Sequence, residues 1–303
     1  GVDYERLQKI NPGFVVIRMP GFGLDAPYQN FRCLGSHFDG ICGHTWIRGY
    51  ADMDVDVRED VYLSDAVGGL TAAYAVMMAL RHRDRTGEGQ LVELAQVENF
   101  ATYMGEVTMD HRMNHRVRAT LGNRHPNAAP HGCYRCKGDD QWVVISVSNQ
   151  KEWNGLCRAM SNPMWSLENA FVNELGRLNH QDELDEHISQ WTMTRDKKEV
   201  MHLLQSEGVS AGAVLNQAEV YEDDQFGQRE LFQEVTQADS GKHLYGGTPV
   251  KLSNVPNSIR LPPVRLGEHN EYIYKELLGF TDDEYVEFET LGHIGTEYPD
   301  NIP

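Results

Sequence analysis

The stretch from Ser64 to Leu80 constrains the fold more than any other part of the chain. It is rich in Ala, Leu and Met, which favour a helix, and its apolar run from Leu70 to Leu80 is nearly continuous. The pattern predicts a helix over residues 65–83. Because apolar residues occupy most of its circumference, we expect this helix to be buried on most sides.

Asp65 is the single carboxylate of this stretch, and it falls in the first turn of the predicted helix. An acidic residue in that position can simply complement the positive end of the helix dipole. Gly68 and Gly69 follow one turn later and lack side chains, so another backbone or a ligand could approach closely. From the residues alone, Asp65 is either an ordinary helix-start acid or a reactive group.

Composition limits the class of protein. A chain of 303 residues can bury a sizeable core, in one large or two ordinary domains. Its net charge of −18 argues against a nucleic-acid partner. No apolar run is long enough to cross a bilayer and nothing at the start of the sequence suggests secretion, so we expect a cytoplasmic protein without membrane contact. Five cysteines suggest neither disulfides nor zinc, since Cys133-x-x-Cys136 has no second pair.

The order of predicted elements indicates an α/β fold. A strand at 14–17 precedes the long helix, and a second strand at 90–94 follows it. A strand, a helix and a strand in succession are typical of a parallel α/β unit. A second region begins near His131, with a strand at 141–147 and a helix that Asn149 would cap.

Several short motifs follow one another along nearly the whole chain. They are Asn-Pro at 11–12, Pro-Gly-Phe-Gly at 20–23, Ala-Pro-Tyr at 26–28, Asp-x-x-x-Gly at 65–69, Arg-His-Arg-Asp-Arg-Thr-Gly-Glu-Gly-Gln at 81–90, Gly-Asn-Arg-His-Pro at 122–126, Gly-Val-Ser-Ala-Gly-Ala-Val at 208–214 and Gly-Glu-His-Asn at 267–270. Together they resemble the class III coenzyme A transferases, the family of the formyl-CoA and carnitine-CoA transferases.

This resemblance implies part of a nucleotide-binding-like parallel α/β domain plus a smaller α+β domain. The predicted bounds are 1–115 for the remainder of the large domain with its catalytic helix, 116–130 for a linker, 131–215 for the small domain and 216–303 for a segment returning to the large domain. In the family, a further α/β half precedes the segment that resembles residues 1–28, and chains form interlocked dimers. We therefore expect a homodimer, or a hetero-oligomer with a chain that carries the other half.

The family's nucleophilic aspartate matches Asp65. The implied reaction moves coenzyme A from an acyl-CoA donor to a small carboxylic acid through aspartyl-anhydride and aspartyl-CoA thioester intermediates. No metal or redox cofactor is expected, because coenzyme A enters as a substrate. Gly122 and Asn123 match a loop near the family's active site, so they are the predicted donors to the oxyanion.

Coenzyme A is a polyanion, so a chain of net charge −18 must bind it through local groups. Gly21 and Phe22 in the Gly-Phe-Gly motif are predicted contacts. Arg81 and Arg85, at the end of the long helix, are the predicted basic contacts, although arginines there also suit a solvated helix end.

Two alternatives remain open. Racemisation of an α-methylacyl-CoA would need an acid/base pair, and Leu34 stands where the family's racemases have a histidine, leaving His37 and His44 as possible substitutes. A non-catalytic subunit that stabilises an active partner is the other alternative. Asp65 in its motif argues against it, whereas the absent front half argues for it.

Overall fold

The computed structural model describes residues 3–54, 56 and 61–297 of the chain. The chain folds as two compact units, Gly1–Val214 and Leu215–Pro303. The finer division into a large domain, a linker and a small domain remains a prediction.

The first part of unit one is built around a parallel strand pair. Its elements are α1 (Tyr4–Ile10), β1 (Val16–Arg18), α2 (Gly35–Ile41), α3 (His44–Ile47), α4 (Leu63–Thr86), β2 (Leu91–Glu93), α5 (Gln96–Tyr103) and α6 (Gly105–Asn114). Strands β1 and β2 run parallel, with Val16 opposite Leu91, and helix α4 lies between them in the chain. The predicted α/β fold class is therefore confirmed.

Helix α4 is longer and far more exposed than predicted. It ends at Gly87, whose left-handed backbone (φ 81°) lets its N–H donate to the Arg83 carbonyl over 2.7 Å. Only five of its 24 residues are buried: Ser64, Val67, Gly68, Ala72 and Ala79. The prediction that this helix is buried on most sides is wrong for the single chain. Apolar composition indicates that a helix face can be buried, but it does not reveal whether the same chain covers that face.

The same helix also corrects an expectation about membranes. Among the described residues, Leu63–Thr86 is the one helix whose length and composition would allow it to cross a bilayer. Of the residues in its 18-residue apolar stretch, 28% are buried. The expectation that no apolar run is long enough to cross a bilayer is therefore wrong for this helix. Core helices of folded proteins share this length and composition, so these two properties alone do not indicate a membrane.

The rest of unit one is a three-stranded antiparallel sheet covered by helices. Its elements are β3 (His131–Arg135), β4 (Trp142–Ser146), α7 (Gln150–Ala159), a 3-10 turn (Met164–Leu167), α8 (Glu174–Asn179), α9 (Gln181–Thr192), α10 (Lys197–Ser206) and β5 (Ser210–Ala213), with strand order β3-β4-β5. Val143 and Ile145 of β4 pack in one core with Leu156, Leu184 and Leu204 of the helices. Asn149 caps α7 as predicted, since its side chain accepts from the Glu152 N–H.

Unit two combines a hairpin with short helices. Its elements are α11 (Gln217–Glu222), α12 (Asp224–Gln228), β6 (Phe232–Gln237), β7 (Gly241–Gly246), a π-helix (Tyr272–Leu277) and α13 (Asp282–Thr290). Strands β6 and β7 pair antiparallel. Tyr274, Phe280 and Phe288 form an aromatic cluster that joins the π-helix to α13.

Candidate active site

Asp65 lies in the first turn of α4 at an anchored helix start. Its N–H donates to the carbonyl of Tyr62 over 3.1 Å. The neighbouring Ser64 is fully buried, and its hydroxyl donates to the Gly35 carbonyl of α2 over 3.2 Å. Asp65 itself is exposed. The helix start is thus held against α2 while the carboxylate remains accessible.

Gly35, the first residue of α2, packs directly on this carboxylate. A Cβ at Gly35 would collide with Oδ2 of Asp65 and would lie 3.0 Å from its Cγ and 2.8 Å from Cδ1 of Tyr62. Real Cβ atoms do not make such contacts without displacing their neighbours. The backbone of Gly35, the ring of Tyr62 and the carboxylate of Asp65 therefore meet at one point.

Gly68 has a structural partner rather than an open approach. A Cβ there would lie 3.3 Å from Oε1 of Gln96 on α5, and the Gln96 amide donates to the Met19 carbonyl over 3.1 Å. Gly69 has no atom within 4 Å of the corresponding point. The close approach of Gln96 therefore explains the glycine at position 68, whereas the surface of α4 at Gly69 is open within the described residues.

Gly21 and Phe22 lie next to helix α2. A Cβ at Gly21 would collide with Sγ of Cys33 and would lie 3.2 Å from the buried ring of Phe38. Phe22 packs edge-on against Phe38, with ring centroids 6.2 Å apart, and against Tyr28 at 5.6 Å. The Gly-Phe-Gly motif thus supports the helix that begins against Asp65. Contact of these two residues with coenzyme A remains a prediction.

A buried acid–histidine pair was missed by sequence reasoning. Asp39 of α2 is fully buried, and neither of its carboxylate oxygens accepts a hydrogen bond within the described residues. Nδ1 of His44 lies 3.8 Å from Oδ1 of Asp39. Burial, together with the charge of Arg48, lowers the pKa of His44, while the Asp39 carboxylate acts in the opposite direction. The one feature of the sequence that could have indicated this pair is Asp39 itself, an acid that follows Gly35 by one helical turn.

The predicted oxyanion loop contacts the turn at residues 49–50. Gly122 has φ +59°, and its N–H donates to the Gly49 carbonyl over 3.2 Å. The Asn123 side chain donates to the Tyr50 hydroxyl over 2.7 Å. The Gly122 N–H is therefore already occupied. The N–H of Asn123 makes no hydrogen bond in the described part of the chain, so Asn123 is the better candidate of the two.

Two clefts, of about 520 and 590 Å³, flank this loop and share its residues. Both are also lined by His131, whose Nδ1 lies 2.8 Å from the Asn123 carbonyl. Because a carbonyl only accepts, Nδ1 carries the proton there. Arg124 is held by Asp182 and Asp185 at 2.6 and 2.8 Å. Asp65 lines neither cleft, so the described contacts do not bring the loop and the carboxylate together.

The predicted basic contacts lie at the opposite end of α4. Arg81 and Arg85 line a cleft of about 410 Å³ together with Met78 and His82. Arg81 follows Asp65 by sixteen residues, which is about 24 Å along a helix axis. A ligand that contacted both ends would have to extend along the helix.

His37, one of the two histidines named as possible racemase substitutes, contacts the start of its own helix. His37 is exposed, and its Nδ1 accepts from the Leu34 N–H over 3.0 Å at the start of α2. That nitrogen is therefore not free to act as a base. This contact of His37 does not favour the racemase alternative, and the role of His44 in it stays a prediction.

The cysteines are all free thiols. Burial, with the negative charge of Asp196, raises the pKa of Cys136 to about 11, so this thiol stays protonated at neutral pH. Within residues 3–54, 56 and 61–297, no group of three or more potential ligands could hold a metal ion.

Comparisons with known proteins cover nearly the whole chain. A model described as CoA-transferase family III matches residues 1–270. The chain is 29% identical over 284 residues to succinyl-CoA–D-citramalate CoA-transferase of Chloroflexus aurantiacus, covering 94% of this chain and 70% of that protein. It is 27% identical over 314 residues to formyl-CoA:oxalate CoA-transferase of a Bradyrhizobium species, covering 97% and 73%.

Two further matches concern assembly and fold. Succinyl-CoA–L-malate CoA-transferase beta subunit of Chloroflexus aurantiacus is 28% identical over 286 residues, covering 94% of this chain and 70% of that one. The crystal structure of a CaiB/BaiF family protein from Brucella suis superposes with a TM-score of 0.78 at 24% identity, covering 91% and 71%. The latter shows a shared fold.

Proposed function

The chain belongs to CoA-transferase family III, and we propose that it transfers coenzyme A from an acyl-CoA to a carboxylic acid with Asp65 as nucleophile. One observation carries this proposal: Asp65 is an exposed carboxylate on a helix start that Ser64 and Gly35 hold in place. The names of two relatives give oxalate and D-citramalate as acids, which supports a small carboxylic acid as acceptor.

The proposed chemistry begins with attack by a carboxylate oxygen of Asp65 on the thioester carbonyl of the donor. The carbon–sulfur bond breaks, coenzyme A leaves as a thiolate, and an aspartyl-acyl anhydride remains. The thiolate then attacks the aspartyl carbonyl, releasing the donor acid and forming an aspartyl-CoA thioester. The acceptor carboxylate attacks this thioester and displaces the thiolate again, leaving an anhydride between Asp65 and the acceptor. The thiolate then attacks the acceptor's carbonyl, which forms the acyl-CoA of the acceptor and releases the Asp65 carboxylate. No metal or redox cofactor enters this route.

A carboxylate is a weak nucleophile in water, so the site must hold it close to the thioester. Orientation of this kind contributes up to about 7–11 kcal/mol. The close approach of the Gly35 backbone restricts one side of Asp65, and the ring of Tyr62 lies near the same point. The N–H of Asn123, which makes no hydrogen bond among the residues the structure describes, is the proposed donor to the oxyanion. This role requires the loop to reach the Asp65 of a second chain, because the described contacts do not bring the two together within one chain.

The surface of α4 supports an assembly. Leu70, Tyr74, Met77 and Met78 lie on one helix face and are 71%, 68%, 65% and 55% exposed. A contiguous apolar face of this kind marks an interaction surface. We propose that a second chain covers it, either a copy of this one or a different subunit. A hetero-oligomer is supported by the relative that is named a beta subunit.

Mass spectrometry of the intact protein tests the proposal. The chain, with any subunit that co-purifies, is incubated with acyl-CoA and hydroxylamine, which converts an activated aspartyl group to a hydroxamate of about +15 Da. We expect this adduct on Asp65 of the wild type and of Asp84→Asn, and none in Asp65→Asn. Absence of the adduct with exchange of the substrate's α-proton in deuterated water would favour a racemase. Absence of both in every assembly would favour a non-catalytic subunit.

A further inference from the structure

Tyr62, the residue that precedes α4, has an unfavourable backbone conformation. Its φ of 47° and ψ of 34° lie in the left-handed region, which bulky residues rarely adopt. A residue in this position is usually extended and caps the helix with a short polar side chain, but Tyr62 makes no such cap. Asparagine or glycine would form this turn with less strain. The start of the longest helix therefore carries a residue that local stability does not favour.

The ring of Tyr62 contributes little to the core. Tyr62 is 53% exposed, so the apolar area that it buries is too small to offset the strain of its backbone. The ring instead approaches the same point above Gly35 as the carboxylate of Asp65, with Cδ1 at 2.8 Å from that point. Backbone strain that is not offset by local packing is typical of functional sites. The strained residue here directly adjoins the carboxylate.

We propose that Tyr62 is a positioning residue for Asp65. Its ring and the backbone of Gly35 confine the carboxylate, so that Oδ2 is turned towards Gly35 and Oδ1 is the oxygen that attacks the thioester. The atom of Tyr62 that lies 2.8 Å from the point where a Cβ at Gly35 would stand is the ring carbon Cδ1, so the inferred role does not require the phenol hydroxyl. The left-handed backbone is what directs the ring to this place. This inference rests on the proposed function, because it assigns Tyr62 a part in the reactivity of Asp65.

Tyr62→Asn and Tyr62→Phe separate this role from a structural one. Asparagine tolerates the left-handed conformation and lacks the ring, whereas phenylalanine keeps both the ring and the strain. Three quantities are measured: the melting temperature, the rate of the acyl-CoA-dependent hydroxamate on Asp65, and the labelling of Asp65 by carbodiimide and glycinamide. The labelling needs no acyl-CoA.

We expect Tyr62→Asn to raise the melting temperature and to accelerate carbodiimide labelling, because strain is relieved and the carboxylate is uncovered. Hydroxamate formation should slow by about tenfold or more, since a small misplacement of a reacting group is costly. Tyr62→Phe should match the wild type in all three measurements.

A Tyr62→Asn variant with unchanged hydroxamate formation would overturn the inference. So would a lower melting temperature, which would make Tyr62 a structural residue, or a slow Tyr62→Phe, which would assign the effect to the hydroxyl. Failure of the proposed function is distinguishable, because the wild type itself would then form no hydroxamate. In that event, equal carbodiimide labelling of Asp65 in the wild type and in Tyr62→Asn would overturn the inference.

Discussion

Gly35 and Asp65 meet at the point where any residue other than glycine at position 35 would place its Cβ. Thirty residues separate them in the chain, and they belong to different helices, α2 and α4. The hydrogen bond from Ser64 to the Gly35 carbonyl fixes the same approach on its buried side. The position of the carboxylate therefore depends on how two helices pack.

Gly35→Ala should slow hydroxamate formation at Asp65 by about 10- to 100-fold, because the added methyl group displaces the carboxylate. Gly40→Ala is the matched control in the same helix, since nothing lies within 4 Å of its added Cβ. The control should keep the wild-type rate and gain about 0.5–1 kcal/mol of stability. Equal rates in both variants would show that the contact does not matter for the reaction.

Stability should fall as the pH drops below about 6.5, the ordinary pKa of histidine. Burial and Arg48 lower the pKa of His44 in the folded chain, so the unfolded chain binds a proton first. The stabilisation is complete above the unfolded pKa and is lost as the pH falls towards the folded one. Urea unfolding at about pH 7.5 and about pH 5.5 measures this loss. His44→Gln should reduce this loss of stability between the two pH values, whereas substitution of the exposed His82 by Gln should not. An equal loss in the two variants would contradict the assignment of the pH dependence to His44.

Arg177→Met should destabilise unit one by about 2–4 kcal/mol. Arg177 is 1% exposed, donates to the carbonyls of Ala129 at 3.1 Å and Phe171 at 2.9 Å, and lies 4.6 Å from the centre of the Trp153 ring. Methionine would leave both carbonyls without this donor. Arg158→Met removes only the ion pair of the exposed Arg158 with the half-buried Glu207 and should lose less than about 1 kcal/mol. Equal urea midpoints for the two variants would refute the buried role.

The double substitution Tyr74→Glu and Met77→Glu should disrupt the assembly. Each of these side chains would contribute about 1.5–3 kcal/mol if a second chain buried it. Light scattering after size-exclusion chromatography measures the mass of the assembly. His82→Glu adds one negative charge, against the two of the double variant, at an exposed polar position of α4 and should leave that mass unchanged. An unchanged mass for the double variant would exclude this face from the interface.

Local features of the fold could be predicted from the sequence. The central helix, the cap at Asn149 and the strands on either side of α4 all depend on residues close together in the chain. Capping, helix propensity and β-branched content act over such short separations. The order of motifs likewise identified the family, and with it Asp65 as the nucleophile to test.

Tertiary structure decided everything that depends on distant segments. It exposed the apolar face of α4, brought Gly35 onto Asp65, and buried Asp39 beside His44. It also occupied the Gly122 N–H with the Gly49 carbonyl. Each of these follows from how helices and loops pack across the chain, because the neighbours of a side chain, and not its own identity, determine its burial, its hydrogen bonds and the space around it.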